Sequence, residues 1–339
     1  MNVDWLIRGR DGRLSAYLLS EATVHCRAER GPGGPWDPPR TVGGDQRLHS
    51  VLALGQGPDR YTHLVSWRPT VRDQSGLVHS THYRPDLAAL DWNPIGHPNG
   101  SGDRTGNPAV AIDAEGRAHV FVRNRGGGVS MIGQKLKGGW GPWCDLKGRK
   151  VQGDLAAVTG ESGCVELYAA VPGGVMHWRQ QEAGTAPALD EALEAPVRPG
   201  SLRALATSAD STTLFFTDDE SGDVCAWRPG TKPVALLASA GPGPVCVIRC
   251  ELDGHDCTLL AQRSASGRVA FAAYPTEDES AGAWWTESGP ELPADALLAL
   301  AEDEQGRVVA ATLSPGTGEL RVTRRKDEPG IALEAWRSV

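Results

Sequence analysis

Residues 107–148 read NPAVAIDAEGRAHVFVRNRGGGVSMIGQKLKGGWGPWCDLKG, and the spacing within this stretch decides the fold. Four short apolar runs, PAVAI, GRAHVFVR, GVSMIGQK and WCDL, are separated by Gly-rich turns. Strand-length runs with turn signals at intervals of about 8–12 residues predict β-strands joined by hairpins. The same order recurs on both sides. Upstream lie VDWLIRG, GRLSAYLL, TVHCRAE and WDPPRTV, then LHSVLAL, RYTHLVSW, GLVHSTHY and LDWNPI. Downstream lie DLAAV, CVELYAAV and GVMHWRQQ, then LRALATS, TTLFFTD, GDVCAWR and PVALLAS. The last units are PVCVIRC, CTLLAQR, GRVAFAAY and AWWTE, then DALLALAE, GRVVAATL, GELRVTRR and LEAWRSV.

Seven units in 339 residues give about 48 residues per unit. A four-strand repeat of that length is the signature of a propeller blade. The expectation is therefore an all-β, seven-bladed β-propeller of four-stranded antiparallel blades, forming a single domain over 1–339. The approximate blade limits are 1–46, 47–97, 98–148, 149–198, 199–240, 241–291 and 292–339. Tryptophan keeps time with the repeat: Trp36, Trp92, Trp143, Trp285 and Trp336 fall at fourth runs, and Trp178 and Trp227 at third runs. Asp11-Gly12-Arg13, Glu115-Gly116-Arg117 and Gln305-Gly306-Arg307 mark one recurring hairpin between first and second runs. Two segments strain the pattern. Residues 186–195, APALDEALEA, favour a helix or an irregular replacement of a fourth strand, whereas 294–302, ADALLALAE, is read as a strand on repeat register despite its helix formers.

The composition narrows the function classes. With 34 Lys+Arg against 42 Asp+Glu the net charge is −8, which argues against a nucleic-acid or anionic-membrane partner. Seven scattered cysteines without a CxxC pair read as structural thiols rather than a metal or disulfide framework. No uninterrupted apolar run is long enough to cross a membrane, and MNVDWLIRGRDGR carries charge where a signal peptide needs an apolar stretch. These features predict a soluble, cytoplasmic protein. Eleven Trp beside 4 Phe and 5 Tyr is an unusual use of the one large aromatic that brings an N–H donor.

The unit NPAVAIDAEGRAHVFVRNRGGGVSMIGQKLKGGWGPWCDL resembles the repeat of the bacterial seven-bladed propeller lectins that bind fucose and related sugars, and more loosely the tectonin repeats. The likeness is good in blade three, fair in blades one and seven and weak elsewhere, about a third of the chain in all. It implies the propeller fold, and shallow sugar pockets between neighbouring blades in which polar groups fix hydroxyls and an aromatic packs on the sugar face. The blades have diverged from one another, so seven equivalent pockets are not expected, and no sugar-binding residue is carried across.

The residues themselves point to one corner. Two long connections, 67–76 and 93–107, fall on the rim shared by the hairpins between second and third strands and the blade-to-blade links. Long loops on a rigid scaffold are where function concentrates. This corner holds Trp67, Arg68, Asp73, His97, Asn99, Asp103 and Arg104, and the matching loop of blade three adds Arg123, Asn124 and Arg125. Its arginines suit a hydroxylated or anionic ligand, although a solvated loop with local ion pairs explains the same residues. Trp67 and Trp140 are the expected exposed stacking platforms, with Trp36, Trp92, Trp143, Trp285 and Trp336 assigned to blade packing. His79 and His82, three apart on a strand, should face opposite ways, which weighs against a metal site. No P-loop, GxSxG elbow or GxGxxG occurs, and no cofactor is expected.

Three functions stay open: a lectin-like module for a glycan or small polar ligand; a cofactor-independent cyclase, lyase or hydrolase using His97, Arg104 and Asp103; and a protein-interaction scaffold.

Overall fold

A computed structural model describes residues 5–49, 51–69, 75–99 and 104–339. The chain forms seven antiparallel sheets, each a simple meander of strands taken in chain order. They are the seven blades of a β-propeller. The inner strands are Leu6–Arg8, Leu52–Gln56, Ala109–Ile112, Gln152–Thr159, Arg203–Ala206, Cys246–Leu252 and Leu297–Glu302. A meander places the hairpins between first and second strands, and between third and fourth, at one end of the ring, here called the lower rim. The hairpins between second and third strands and the blade-to-blade links share the upper rim.

Blade three shows why these residues make strands. Ala109–Ile112 is buried throughout, Ala118–Arg123 and Val129–Gly133 nearly so, while Cys144–Lys147 alternates. Inner strands lie between two neighbouring blades and read as continuous apolar runs. The outer strand has one wet edge and keeps the period of two. At the first hairpin the Asp113 carboxylate accepts from the backbone N–H of Glu115 and Arg117, both at 3.0 Å, and Asp303 repeats the motif on Gln305 and Arg307. Self-bonding of this kind lets Asp hold a tight turn, and it explains two of the recurring triplets; in blade one, where Gly9 stands at that position, Asp11 itself accepts from Arg13 N at 3.3 Å.

Two expectations need correction. Residues 186–195 form no helix: Ala188–Leu189 and Leu193–Glu194 both pair with the third strand Gly174–Arg179, as a fourth strand broken in two. Pairing with an open sheet edge and burial of Leu193 override the local helix propensity. Trp36 also leaves its predicted register. It bridges Glu29 as Trp140 bridges Gln134, and each lies four residues before its fourth strand, Arg40–Val42 or Cys144–Lys147. Trp36 therefore matches Trp140, not Trp143. The segment 294–302 contains the strand Leu297–Glu302, as the repeat register requires.

Apolar side chains pack mainly between blades, each cluster drawing on neighbouring blades. The tryptophans fasten these seams. Trp143 Nε1 donates to Ile95 O, Trp178 to Leu146 O and Trp285 to Ala238 O, at 2.7–2.9 Å, each reaching the outer strand of the preceding blade. Trp92 and Trp336 lie against Gly43 and Gly289, both at positive φ, where a Cβ would collide with the indole nitrogen. Blade four has no fourth-run Trp, and Trp178 from its third strand does the same work.

Among the described residues, no strand is exchanged between blades one and seven. Blade one is built from Leu6–Val42 and blade seven from Leu297–Ser338. The seam between them is held by side chains: Arg324 pairs with the fully buried Glu29, Arg27 reaches Val339 O, and Arg8 reaches Asp303 O. Glu29 also accepts from Leu14 N and Gly33 N, at 3.0 and 3.1 Å. Burial holds its carboxyl above the ordinary range, against the downward pull of those N–H groups and of Arg324.

Candidate functional site

The corner between blades two and three is partly assembled. Asn99 Nδ2 donates to Thr105 Oγ1 at 2.5 Å, and Asn99 Oδ1 accepts from Arg125 N at 3.1 Å, which ties the inter-blade link to the hairpin of blade three. Asn124 caps that hairpin by accepting from Gly126 N and Gly128 N. Arg104, Arg123 and Arg125 are exposed, and His97 is half-buried with its Nδ1 lacking a partner. Asp73 and Asp103 lie outside the described residues. Three candidates do not join the group as expected. Trp67 is only 7% exposed and belongs to the core between blades two and three, so it offers no stacking face. Arg68 turns away and donates to Gln46 Oε1 of blade one at 2.8 Å. Trp140 lies in the link between third and fourth strands, on the opposite rim.

Trp140 packs edge-on against His79, with ring centroids 5.0 Å apart. His79 Nε2 in turn meets His63 Nδ1 at 2.9 Å. Burial lowers both, His63 to about 4 and His79 to about 3, the second also by the neighbouring ring. A neutral pair sharing one proton between ring nitrogens fits this site. His82 faces the other way and meets Tyr17 Oη of blade one at 2.9 Å. Two further buried histidines brace other blades. His119 meets Asp113 Oδ2 at 2.9 Å, and His177 meets Glu166 Oε2 at 2.8 Å while stacking on Tyr168. These contacts bury the imidazoles in the architecture. Among the described residues, no group of three or more His, Cys, Asp or Glu side chains is disposed to hold a metal ion.

A cavity of about 550 Å³ opens between blades seven and one, where the sequence reading placed no site. Trp36 and the turn Gly33-Gly34-Pro35 form one wall, and Val322, Arg324, Glu334 and Arg337 contribute to the other. Trp36 is half-buried and its Nε1 has no partner. Arg337 is largely exposed and lies 3.9 Å from Glu334. Hydrogen bonds explain why this seam is open and its counterpart closed. Ser80 Oγ donates to Leu90 O and Thr323 Oγ1 to Glu334 O, at 2.6 and 2.7 Å, while His79 pairs with Asn93 and Val322 with Arg337. Val322 therefore stands where His79 stands. The small side chain leaves space beside Trp36 that the paired imidazoles fill beside Trp140. Only the distance of Trp36 from the following strand, shared with Trp140, hinted at this in the sequence.

The axis of the ring carries two mouths. The lower is a cavity of about 610 Å³ lined by apolar inner-strand residues with Arg8, Gln56, Arg60 and Glu302 at its edge. Gln56 Nε2 donates to Arg8 O and Arg60 O, at 2.9 and 3.0 Å. The upper is smaller and lies among blades five, six and seven. None of the described corner residues lines either mouth or the seam cavity.

No protein-family profile matches the chain, and no curated protein matches it. Solved structures do. The BP39L lectin from Burkholderia pseudomallei superposes with a TM-score of 0.70 at 12% identity, over 98% of this chain and 96% of that one. A fucose-specific lectin from Aleuria aurantia gives 0.53 at 12% identity, over 84% and 94%. A fungal alcohol oxidase of the AA5 family gives 0.60 at 9% identity, over 91% and 69%. Identities this low establish a shared propeller, and the different activities in those names show that the fold does not choose the function.

Proposed function

We propose that this protein is a carbohydrate-binding propeller whose site is the cavity between blades seven and one. What carries the reading is an indole facing a guanidinium and a carboxylate across an open seam. Trp36 offers an apolar face to the C–H side of a sugar ring, while Arg337 and Glu334 supply a donor and an acceptor for its hydroxyls. Arg324 is already committed to Glu29 and serves as the floor. The named lectins with the same fold add support, one of them described as fucose-specific.

A glycan array followed by titration with α-methyl fucoside tests this. Binding is expected, weakened about tenfold or more by Trp36→Ala and similarly by Arg337→Ala. No binding to any glycan by the folded protein, or affinity untouched by both substitutions, overturns it. Unchanged affinity in those variants together with loss in Arg125→Ala would move the site to the corner between blades two and three.

A further inference from the structure

The lower axial mouth is built in two layers by the pleat of the inner strands. Arg8, Gln56 and Glu302 are the last residues of their strands in blades one, two and seven, and they line the opening. Two positions deeper, on the same face of each strand, stand Leu6, Leu54 and Leu300. Val110 and Ala157 of blades three and four complete this apolar layer. The cavity of about 610 Å³ lies within the span of small-molecule sites, about 300–1,000 Å³.

Most polar groups of the lip are used internally. Arg8 reaches Asp303 O, Gln56 Nε2 serves Arg8 O and Arg60 O at 2.9 and 3.0 Å, and Thr159 Oγ1 donates to Ile112 O at 2.7 Å. Two charged side chains are left over. Among the described residues, neither Arg60 nor Glu302 has a side-chain hydrogen bond or ion pair. Glu302 is half-buried. Burial raises its carboxyl, with Asp303 adding to the rise and Arg8 and Arg60 opposing it across a gap. Arg60 is exposed and stands at φ 59°, a conformation that favours glycine. Gln56 holds its carbonyl, and its N–H donates to Gly57 O at 2.9 Å. The backbone thus fixes a cation at the edge of the opening, near an anion that it does not bond.

We propose that the lower mouth binds a free α-amino acid with a large apolar side chain. Arg60 donates to its carboxylate, its ammonium group donates to Glu302, and its side chain runs down among Leu6, Leu54 and Leu300. A zwitterion serves both unbonded charges at once. A carboxylate alone would leave Glu302 half-buried without a donor, and an amine alone would add positive charge beside Arg8 and Arg60.

L-Phenylalanine is the probe; phenethylamine lacks its carboxylate and 3-phenylpropionate lacks its ammonium group. All three are titrated calorimetrically into the whole protein, with the shift in Tm as a second readout. Phenylalanine is expected to bind and raise Tm, and each analogue to bind about tenfold more weakly or less. Arg60→Gln should lower phenylalanine affinity about tenfold or more, to the level of phenethylamine. Glu302→Gln should do the same, to the level of 3-phenylpropionate. Neither side chain bonds another described residue, so both variants should keep the parent's Tm in the absence of ligand. Absence of phenylalanine binding by the folded protein, equal binding of either analogue, or parent-like affinity in either variant overturns the proposal.

Discussion

The seam between blades two and three and the seam between blades seven and one start from the same part, a tryptophan four residues before a fourth strand, and end in opposite states. At the first, Trp140 rests on His79, which is backed by His63. At the second, Trp36 looks across a cavity toward Val322, and the seam is held instead by Arg324 on buried Glu29. One seam is closed by filling and the other by charge. In a repeat fold, a site can thus arise from one small residue at a position that blade two fills with a histidine, without any new loop.

The largest expected effect comes from breaking the charged seam. Arg324→Ala leaves the Glu29 carboxylate buried and unpaired, and should destabilise by about 3–5 kcal/mol in urea unfolding. Glu29→Gln in the same background should recover much of that loss. Gln134 and Gln180 already accept the matching strand N–H groups, from Ala118 and Val165, in their own blades.

Acid tests the filled seam. His63 and His79 have folded values of about 4 and about 3, below the ordinary value of 6.5. Above pH 6.5 both folded and unfolded rings are neutral and the seam is at full strength. As the pH falls from 6.5 toward about 4 the unfolded chain takes up protons that the folded pair refuses, so stability drops. At about 1.4 kcal/mol per unit the loss is ~3 kcal/mol for one proton on the pair. Chemical denaturation across that range should show the slope, and His79→Val should flatten it relative to the parent.

Converting one seam into the other is the mildest intervention. Val322→His should fill the space beside Trp36, abolish α-methyl fucoside binding and change stability by no more than about 1 kcal/mol. Retained binding would separate the cavity from the function assigned to it.

The fold was legible because it repeats. Strand-length runs, Asp-stabilised hairpins and a Trp just before the fourth strand in four of the blades recur often enough that a failure in one blade, as at 186–195, does not hide the ring. The site was less legible for a physical reason. Trp67 lies in a loop-like stretch of sequence but at the end of a strand buried by blade three, so its setting depends on a neighbour rather than on local pattern. The seam cavity depends on Val322 facing Trp36, residues nearly the whole chain apart, and no local spacing reports that. The corner of blades two and three stands out in the sequence by its long loops, which mark where a site can be built but not whether a hollow exists beneath them.

The closing seam has a consequence for how the molecule folds. Every blade is a meander of neighbouring segments, so its pairings are local in sequence and can form early with little loss of chain entropy. The bond from Arg324 to Glu29 spans 295 residues, and so does that from Arg8 to Asp303. Contacts of such separation bear the largest loop-closure entropy in the chain. The ring should therefore assemble as an open arc of finished blades and shut last between blades seven and one. A ligand seated across that gap would join the two ends of the arc, and its arrival would be felt as slower unfolding of the whole ring.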